Sequence, residues 1–151
     1  MKEVDMWTDG SSIKKLPDGF HGGAGCVLIY KGNEKHLSVA IVDGTNNIAE
    51  LSAPLIGLRE LKEKCKVRIH TDSAYTINCI TKWCRGWKLS GWKTSSGLPV
   101  KNADLIKELD ILCNYHVVEW VKVKGHSGIY YNEVADQLAT KASASLRGEN
   151  E

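Results

Sequence analysis

The fold is decided by one short motif that occurs twice in the chain, first as Trp7-Thr8-Asp9-Gly10-Ser11 and again as His70-Thr71-Asp72-Ser73. Each copy closes a segment with the residue alternation or β-branched content typical of a strand, over residues 4–9 and 67–72. Each predicted strand therefore ends on an aspartate. If the two strands are neighbours in one sheet, the two carboxylates lie side by side at the same edge.

Three further strands and four helices are predicted around these two strands. Residues 25–30 and 36–42 are β-rich and flank a Lys-Gly-Asn turn signal, so a hairpin is expected, and residues 117–123 form a last strand. Apolar residues recur at helical spacing over residues 46–63, 74–84, 102–113 and 131–146. The order β-β-β-α-β-α-α-β-α predicts an α/β fold, a five-stranded mixed sheet flanked by helices.

The size and net charge predict one ordinary globular domain with an uneven charge distribution. The chain has 151 residues and a net charge of +2, which argues against a histone-like or polybasic binder. We expect one domain over residues 1–147 and a polar tail over 148–151. No acid occurs between Asp72 and Asp104, whereas the rest of the chain holds 15 basic and 18 acidic residues. The acid-free stretch contains five basic residues, Lys82, Arg85, Lys88, Lys93 and Lys101.

The cysteines and the termini predict an intracellular protein in a reducing compartment, the cytoplasm or the nucleus. The five cysteines show no CxxC spacing, so neither a zinc site nor a disulfide framework is indicated. The first residues lack the apolar run of a signal peptide and the composition of a transit peptide. No segment approaches the length needed to span a membrane, so no membrane partner is expected.

Four acids occupy positions where metal chemistry is possible, although each alone is typical of a solvated surface residue. Asp9 and Asp72 close strands, Glu50 lies one turn into a helix, and Asp136 lies on the last helix. Gathered carboxylates repel one another and persist when they are hydrogen-bonded, partly protonated or bound to metal. Oxygen ligands without cysteine or histidine favour Mg²⁺ or Mn²⁺. Two such ions about 4 Å apart can cleave a phosphodiester.

A series of motifs in fixed order gives the acids a family context. The motifs are Thr8-Asp9-Gly10-Ser11, Thr45-Asn46-Asn47-Ile48-Ala49-Glu50-Leu51, Thr71-Asp72-Ser73, Trp83 to Thr94, Lys124-Gly125-His126-Ser127-Gly128 and Asn132-Glu133-Val134-Ala135-Asp136. Over residues 4–142 this series resembles type 1 ribonuclease H. The resemblance implies the ribonuclease H-like fold and endonucleolytic cleavage of the RNA strand of RNA–DNA hybrids, which leaves 5′-phosphate and 3′-hydroxyl ends.

The same resemblance implies roles for individual residues in catalysis. Asp9, Glu50, Asp72 and Asp136 would bind two Mg²⁺ ions, with Mn²⁺ as the alternative. His126, in a loop between Gly125 and Gly128, would assist proton transfer or product release, although a lone loop histidine is usually only solvated. The expected partner is an RNA–DNA hybrid bound by a monomer.

The resemblance also implies a set of hybrid-binding residues. Asn46 and Asn47 would contact the minor groove, where the ribose 2′-OH distinguishes RNA from DNA, or would cap their helix. Residues 83–94 resemble a basic protrusion that straddles the duplex, with Trp87 and Trp92 holding it together. The implied nucleic-acid-binding residues are Ser11, Thr45, Asn46, Asn47, Ser73, Tyr75, Trp83, Lys88, Lys93 and Asn102, of which Thr45 and Asn102 match a pocket for a DNA phosphate.

Several positions depart from the family pattern. The predicted loop Ser12 to Gly19 lacks an asparagine that often contacts substrate there, and Ala74 stands where a larger side chain is common. Asp43 occupies the place of an arginine that often completes the phosphate pocket. Pro54 is expected to kink its helix, and Asn102 to cap the next long helix.

Three other functions remain open at the level of sequence. An integrase, transposase or resolvase would share the fold, but the paired asparagines and the tryptophan-rich protrusion disfavour it. A non-catalytic hybrid-binding module is disfavoured because all four acids are present. An α/β domain with an ordinary acidic surface is the simplest alternative. The protrusion fits both a cellular enzyme and the nuclease domain of a reverse transcriptase.

Overall fold

A five-stranded sheet forms the centre of the molecule. The computed structural model describes residues 1–14 and 19–148. The strands in this part of the chain are β1 (Lys2–Lys14), β2 (Phe20–Tyr30), β3 (Asn33–Val42), β4 (Cys65–Thr71) and β5 (Val117–Lys122). Their order across the sheet is β3-β2-β1-β4-β5. β1, β2 and β3 pair antiparallel, whereas β4 pairs parallel with both β1 and β5, so the sheet is mixed as predicted.

The first strand is longer than the sequence pattern predicts. Ser12, Ile13 and Lys14 continue β1 because they pair with residues at the start of β2, for example Ser12 with Gly22. The predicted loop from Ser12 to Gly19 is therefore wrong at its beginning, and its residues 15–18 lie outside the described residues.

The helices follow the predicted order with changed ends. They are α1 (Asn46–Glu60), α2 (Ala74–Asn78), α3 (Cys84–Leu89), α4 (Ala103–Tyr115) and α5 (Tyr130–Gly148). A π-helical turn, Cys79–Trp83, joins α2 to α3, so the helical segment predicted to end at residue 84 continues to Leu89. Helix α5 includes Gly148, the first residue of the predicted tail, and residues 149–151 lie outside the described part. No described helix has the length and apolarity needed to cross a membrane.

Two helix ends differ from the prediction in their capping. The side chain of Thr45, not of either asparagine, caps α1 by accepting a hydrogen bond from the Ile48 amide at 3.3 Å. Asn102 precedes α4 with a left-handed backbone, φ 61°, and its side chain makes no capping bond. Since Thr45 caps α1, neither asparagine before Glu50 has that role. Pro54 is buried within α1, which continues past it to Glu60.

Helices cover both faces of the sheet, and glycines allow them to approach closely. A Cβ atom on Gly57 of α1 would lie 2.7 Å from the sulfur of Cys26, so α1 packs on the face of β2 that carries Cys26. Cβ atoms on Gly23 and Gly25 would collide with the backbone of α5, so α5 packs on the opposite face. The core between α1, α4 and the sheet is fully buried and includes Met6, Leu51, Leu55, Leu58, Val67, Ile69, Ile106 and Leu109.

The strand register brings the two repeated motifs together. β1 and β4 are parallel neighbours, with Met6 opposite Ile69 and Trp7 opposite His70. Continuing this register by two residues places Asp9 opposite Asp72. The expectation that the two aspartates share one sheet edge is confirmed.

Candidate active site

Three carboxylates converge at the end of β1 and β4. Asp9 belongs to β1, Asp72 follows β4, and Glu50 projects from the second turn of α1. One oxygen of each carboxylate lies within 4.8 Å of the others. Asp9 and Glu50 are buried, with 8% and 6% of their surface exposed, and Asp72 is half-buried. The cluster therefore combines close approach of like charges with restricted access of water.

Burial and mutual repulsion favour protonated carboxyls in this cluster. Burial, followed by the charge of Asp72, raises the pKa of Asp9 to about 7. Burial, followed by the charges of Asp9 and Asp72, raises the pKa of Glu50 to about 10. A cation between the three groups would reverse both effects, because it favours the ionised form of each ligand.

The fourth acid and the loop histidine lie at the same site. The side chain of Asp136, on α5, is near enough to Asp9 to contribute to the raised pKa of that carboxyl. Asp136 and His126 both line an open polar cavity of about 410 Å³ that also contains Asp9, Glu50 and Asp72. His126 is exposed and has a left-handed backbone, φ 54°.

Two glycines that the sequence analysis did not single out as site residues shape the cluster. The N–H of Gly10 donates to Asp9 Oδ1 at 2.9 Å and to Glu50 Oε1 in a very short bond. A Cβ atom on Gly10 would lie 2.5 Å from the backbone nitrogen of Glu50. A Cβ atom on Gly125 would lie 2.7 Å from Oδ2 of Asp72. Both glycines lie within quoted motifs, which is the only sequence signal that points to them.

Some predicted hybrid-binding residues near the carboxylates have side chains exposed to solvent, and others have side chains that contact other groups of the protein. Asn46 and Asn47 are exposed and line the cavity, so their amides face solvent beside Glu50. Ser73 also lines the cavity, but its hydroxyl is buried, caps α2 at the Thr76 amide and donates to the Thr76 hydroxyl. Ser11 lies against Ser143, with their hydroxyl oxygens 3.0 Å apart.

The residues that depart from the family pattern also have defined places. Ala74 is exposed and lines the cavity, leaving open space beside the acids. Asp43 is exposed and has a left-handed backbone, φ 56°. Thr45 is half-buried at the start of α1, with its hydroxyl used as the helix cap.

The aromatic residues of the basic protrusion form a continuous row. The ring of Tyr75, which lines the cavity, lies 6.2 Å from that of Trp83, and Trp83 lies 5.9 Å from Trp87. Trp87 lies 6.1 Å from Trp92, and both are partly buried against the core. Trp83 is 42% exposed. Asn102 joins the row, since its Nδ2 donates to the Tyr75 hydroxyl at 3.2 Å.

The two lysines predicted to bind phosphate have different surroundings. Lys93 is exposed. Lys88 lies 2.6 Å from Oδ2 of Asp110 on α4, a carboxylate whose side chain is 12% exposed. The ammonium group of Lys88 thus forms an ion pair within the protein.

A family model described as RNase H matches residues 1–144. The chain belongs to the RNase H family. The chain is 47% identical to the Ribonuclease H of Hahella chejuensis over 149 residues, which cover 99% of each protein. It is 46% identical to the Ribonuclease H of Aeromonas salmonicida over 144 residues, covering 95% of this chain and 92% of that protein.

Solved structures give the same assignment. LC9-RNase H1, described as a type 1 RNase H with the type 2 active-site motif, superposes with a TM-score of 0.85 at 30% identity, covering 96% of this chain and 74% of that one. The PFV RNase H domain has a TM-score of 0.77 at 25% identity and 96% coverage of both chains. The predicted family and fold are confirmed, and this RNase H is a hydrolase of the nuclease type. Membership of the RNase H family decides against the three alternatives: an integrase, transposase or resolvase, a non-catalytic hybrid-binding module, and an α/β domain with an ordinary acidic surface.

Proposed function

We propose that this RNase H hydrolyses the RNA strand of RNA–DNA hybrids endonucleolytically by a two-metal-ion mechanism, leaving 5′-phosphate and 3′-hydroxyl ends. The observation that supports it best is the cluster of Asp9, Glu50 and Asp72, whose ligand oxygens lie within 4.8 Å of one another. Asp136 lines the same cavity as these three acids and supplies the fourth carboxylate.

The donor set fits Mg²⁺, with Mn²⁺ as the alternative. All four donors are carboxylates, the ligands that these hard cations prefer. Burial and mutual repulsion raise the pKa values of Asp9 and Glu50, and a bound cation would favour their ionised forms. When bound, the ions supply Lewis-acid activation of the attacking water and stabilise charge on the leaving oxygen.

Residues of the chain then position the cluster and the substrate. The Gly10 amide fixes one oxygen of Asp9 and one of Glu50. The exposed amides of Asn46 and Asn47 can donate to and accept from a ribose 2′-OH in the minor groove. His126, exposed at the rim of the cavity, can take or return a proton at an imidazole nitrogen.

The basic protrusion supplies contacts to the opposite strand. Trp83 exposes a large apolar ring on which the sugars of the DNA strand can pack. Lys93 can neutralise a phosphate without reading sequence, so binding should weaken as salt increases. Tyr75 links the protrusion to the cavity.

A cleavage assay tests the proposal directly. Matched RNA–DNA hybrid, DNA duplex and RNA duplex are incubated with and without Mg²⁺, and the ends of the products are mapped. We expect Mg²⁺-dependent cleavage of the hybrid alone, within its RNA strand. Asp9→Asn should abolish it, whereas Asp104→Asn, which removes an exposed acid of α4, should retain it. Equal cleavage by Asp9→Asn and the wild type would refute the proposal.

The proposal extends to the state of the protein in the cell. We expect a monomer whose catalytic domain extends to the end of α5 at Gly148, working in a reducing intracellular compartment. All five cysteines are free, and four of them are buried. Sedimentation analysis at micromolar concentration tests the monomer, and a stable dimer would contradict it.

A further inference from the structure

Helix α4 holds the basic protrusion through two charge contacts. Lys88, on α3, places its Nζ 2.6 Å from Oδ2 of Asp110. Lys107, one turn earlier on α4, places its Nζ 5.1 Å from the centre of the Trp92 ring. The two contacts lie on either side of the protrusion's turn and join it to a helix packed against the core.

The Lys88 to Asp110 pair differs from an ordinary surface ion pair. The Asp110 side chain is 12% exposed and the Lys88 side chain 49%, so the carboxylate is largely removed from water while the ammonium is not. Removing the partner of a buried charge is strongly unfavourable, whereas exposed pairs contribute little. If Lys88 moved away to bind a phosphate, Asp110 would lose that compensation.

The row of aromatic rings connects Lys88 to the cavity that holds the carboxylates. Trp87 directly precedes Lys88, its ring lies 5.9 Å from that of Trp83, and its carbonyl accepts a 2.7 Å hydrogen bond from the Trp92 amide. Trp83 in turn contacts Tyr75 at the cavity that holds the carboxylates. A shift of α3 away from α4 would therefore displace the exposed Trp83 ring.

We propose that Asp110 is a positioning residue for nucleic-acid binding: it holds Lys88 as an anchor, and so fixes the basic protrusion and Trp83 in the geometry that receives the duplex. Lys88 is then an internal anchor and not a phosphate ligand. Lys107 is the second anchor, acting on Trp92. This inference rests on the proposed hybrid substrate.

The variant Asp110→Asn separates the two roles of Lys88 by the sign of its effect. If Lys88 bound phosphate, removing the competing carboxylate would leave hybrid binding unchanged or strengthen it. If Lys88 is instead an anchor, the Asp110→Asn substitution releases it and the protrusion loosens. We expect KM for the hybrid to rise about tenfold, equivalent to about 1.4 kcal/mol, with kcat retained. Asp104→Asn, which removes an exposed acid of the same helix, should leave KM unchanged.

Salt dependence and charge exchange provide an independent pair of measurements. Loss of one phosphate contact makes the negative slope of log K against log salt shallower by about 0.9. Because Lys88 as an anchor makes no phosphate contact, Lys88→Gln should weaken binding and keep the wild-type slope. Lys88→Arg should bind as the wild type does. The double variant Lys88→Asp with Asp110→Lys rebuilds the pair in reverse and should recover most of the binding lost in Asp110→Asn.

Amide exchange without nucleic acid keeps the inference separate from the proposed function. Faster exchange in α3 of Asp110→Asn, with an unchanged melting temperature, is expected from a loosened protrusion. If the wild type bound no hybrid, the proposed function would fail while α3 exchange still reported the anchor. Unchanged α3 exchange in Asp110→Asn, tighter hybrid binding by that variant, or a reduced salt slope in Lys88→Gln would overturn the inference.

Discussion

The amide of Gly10 donates a hydrogen bond to Oε1 of Glu50, and the same amide donates to Oδ1 of Asp9 at 2.9 Å. The strand and the helix approach so closely here that a Cβ atom on Gly10 would lie 2.5 Å from the Glu50 nitrogen. Because that nitrogen belongs to the backbone of α1, it has little freedom to move aside. The absence of a side chain at Gly10 thus determines how near the carboxylates of Asp9 and Glu50 can come to each other.

Replacing Gly10 by alanine should separate β1 from α1 at the site. We expect Gly10→Ala to lower kcat by at least about 10²-fold, as misplacement of catalytic groups by about 1 Å does. We also expect a stability loss of about 1–3 kcal/mol from overpacking. Hybrid cleavage at saturating Mg²⁺ and urea unfolding measure the two effects.

The control for Gly10→Ala is Gly32→Ala, in the turn between β2 and β3. Nothing lies within 4 Å of a Cβ atom at Gly32, but its φ of 79° makes alanine strained there. This variant should lose stability of about 1 kcal/mol and keep its kcat. If both variants lost activity equally, the loss would reflect stability and not the position of Glu50.

The strands and the four acids could be predicted because their signals are local. Asp9 and Asp72 each follow a strand pattern, and a parallel pairing of those strands is enough to bring them together. The contributions of Gly10 and Gly125 could not be predicted in this way. A missing Cβ matters only relative to another segment, and the distance to that segment is a property of the folded chain.

The ion pair of Lys88 illustrates the same limit for charged residues. Its place in an acid-free stretch indicates phosphate binding, because sequence shows only the neighbours along the chain. Its partner, Asp110, lies on another helix. Likewise, the π-helical turn Cys79–Trp83 shifts the helical period, so the apolar spacing that predicts the helix does not extend to Leu89.

Replacing Gly125 by alanine should act mainly on Asp72. The added Cβ would lie 2.7 Å from Asp72 Oδ2, a side-chain atom that can turn away at small cost to the fold. We therefore expect Gly125→Ala to need at least about tenfold more Mg²⁺ for half-maximal cleavage, by loss of about 1.4 kcal/mol of binding. Ser127→Ala, in the same loop, serves as control. An unchanged Mg²⁺ requirement in Gly125→Ala would contradict this account of the loop.

The carboxylate cluster should make the metal-free protein less stable as the pH rises. The pKa of Asp9 is raised from 3.8 to about 7 and that of Glu50 from 4.5 to about 10. At these two groups the folded state therefore binds more protons than the unfolded state above pH 4, and their contribution to stability is greatest below the unfolded pKa values. For Asp9 this contribution is lost between pH 4 and 7, and for Glu50 the loss continues to about pH 10.

Asp9→Asn should remove part of that penalty. In EDTA at pH 8 we expect the variant to be more stable than the wild type by about 2 kcal/mol, with the difference disappearing near pH 4. Saturating Mg²⁺ should stabilise the wild type more than the variant, because it binds the folded site. Urea unfolding at several pH values measures both effects. A stability difference that did not change with pH would contradict the burial of charge at Asp9.

His126 should be less important for turnover than the four acids that we propose as metal ligands. It lies exposed at the rim of the cavity and, by the proposed role, moves a proton while the four carboxylates hold the ions. Loss of a general acid or base typically lowers the rate by about 10²–10⁴-fold. We expect His126→Asn to keep measurable cleavage with an unchanged Mg²⁺ requirement, whereas Asp9→Asn should have none.

Asparagine is the informative replacement for His126 because it tolerates the left-handed φ of 54° at this position, which strains alanine. His126→Ala therefore changes both the imidazole and the backbone preference of the loop next to Gly125 and Asp72. Equal rates for the two variants would assign the whole effect to the imidazole, and a lower rate for alanine would show that loop geometry contributes. Wild-type turnover by His126→Asn across the pH range would remove His126 from the reaction.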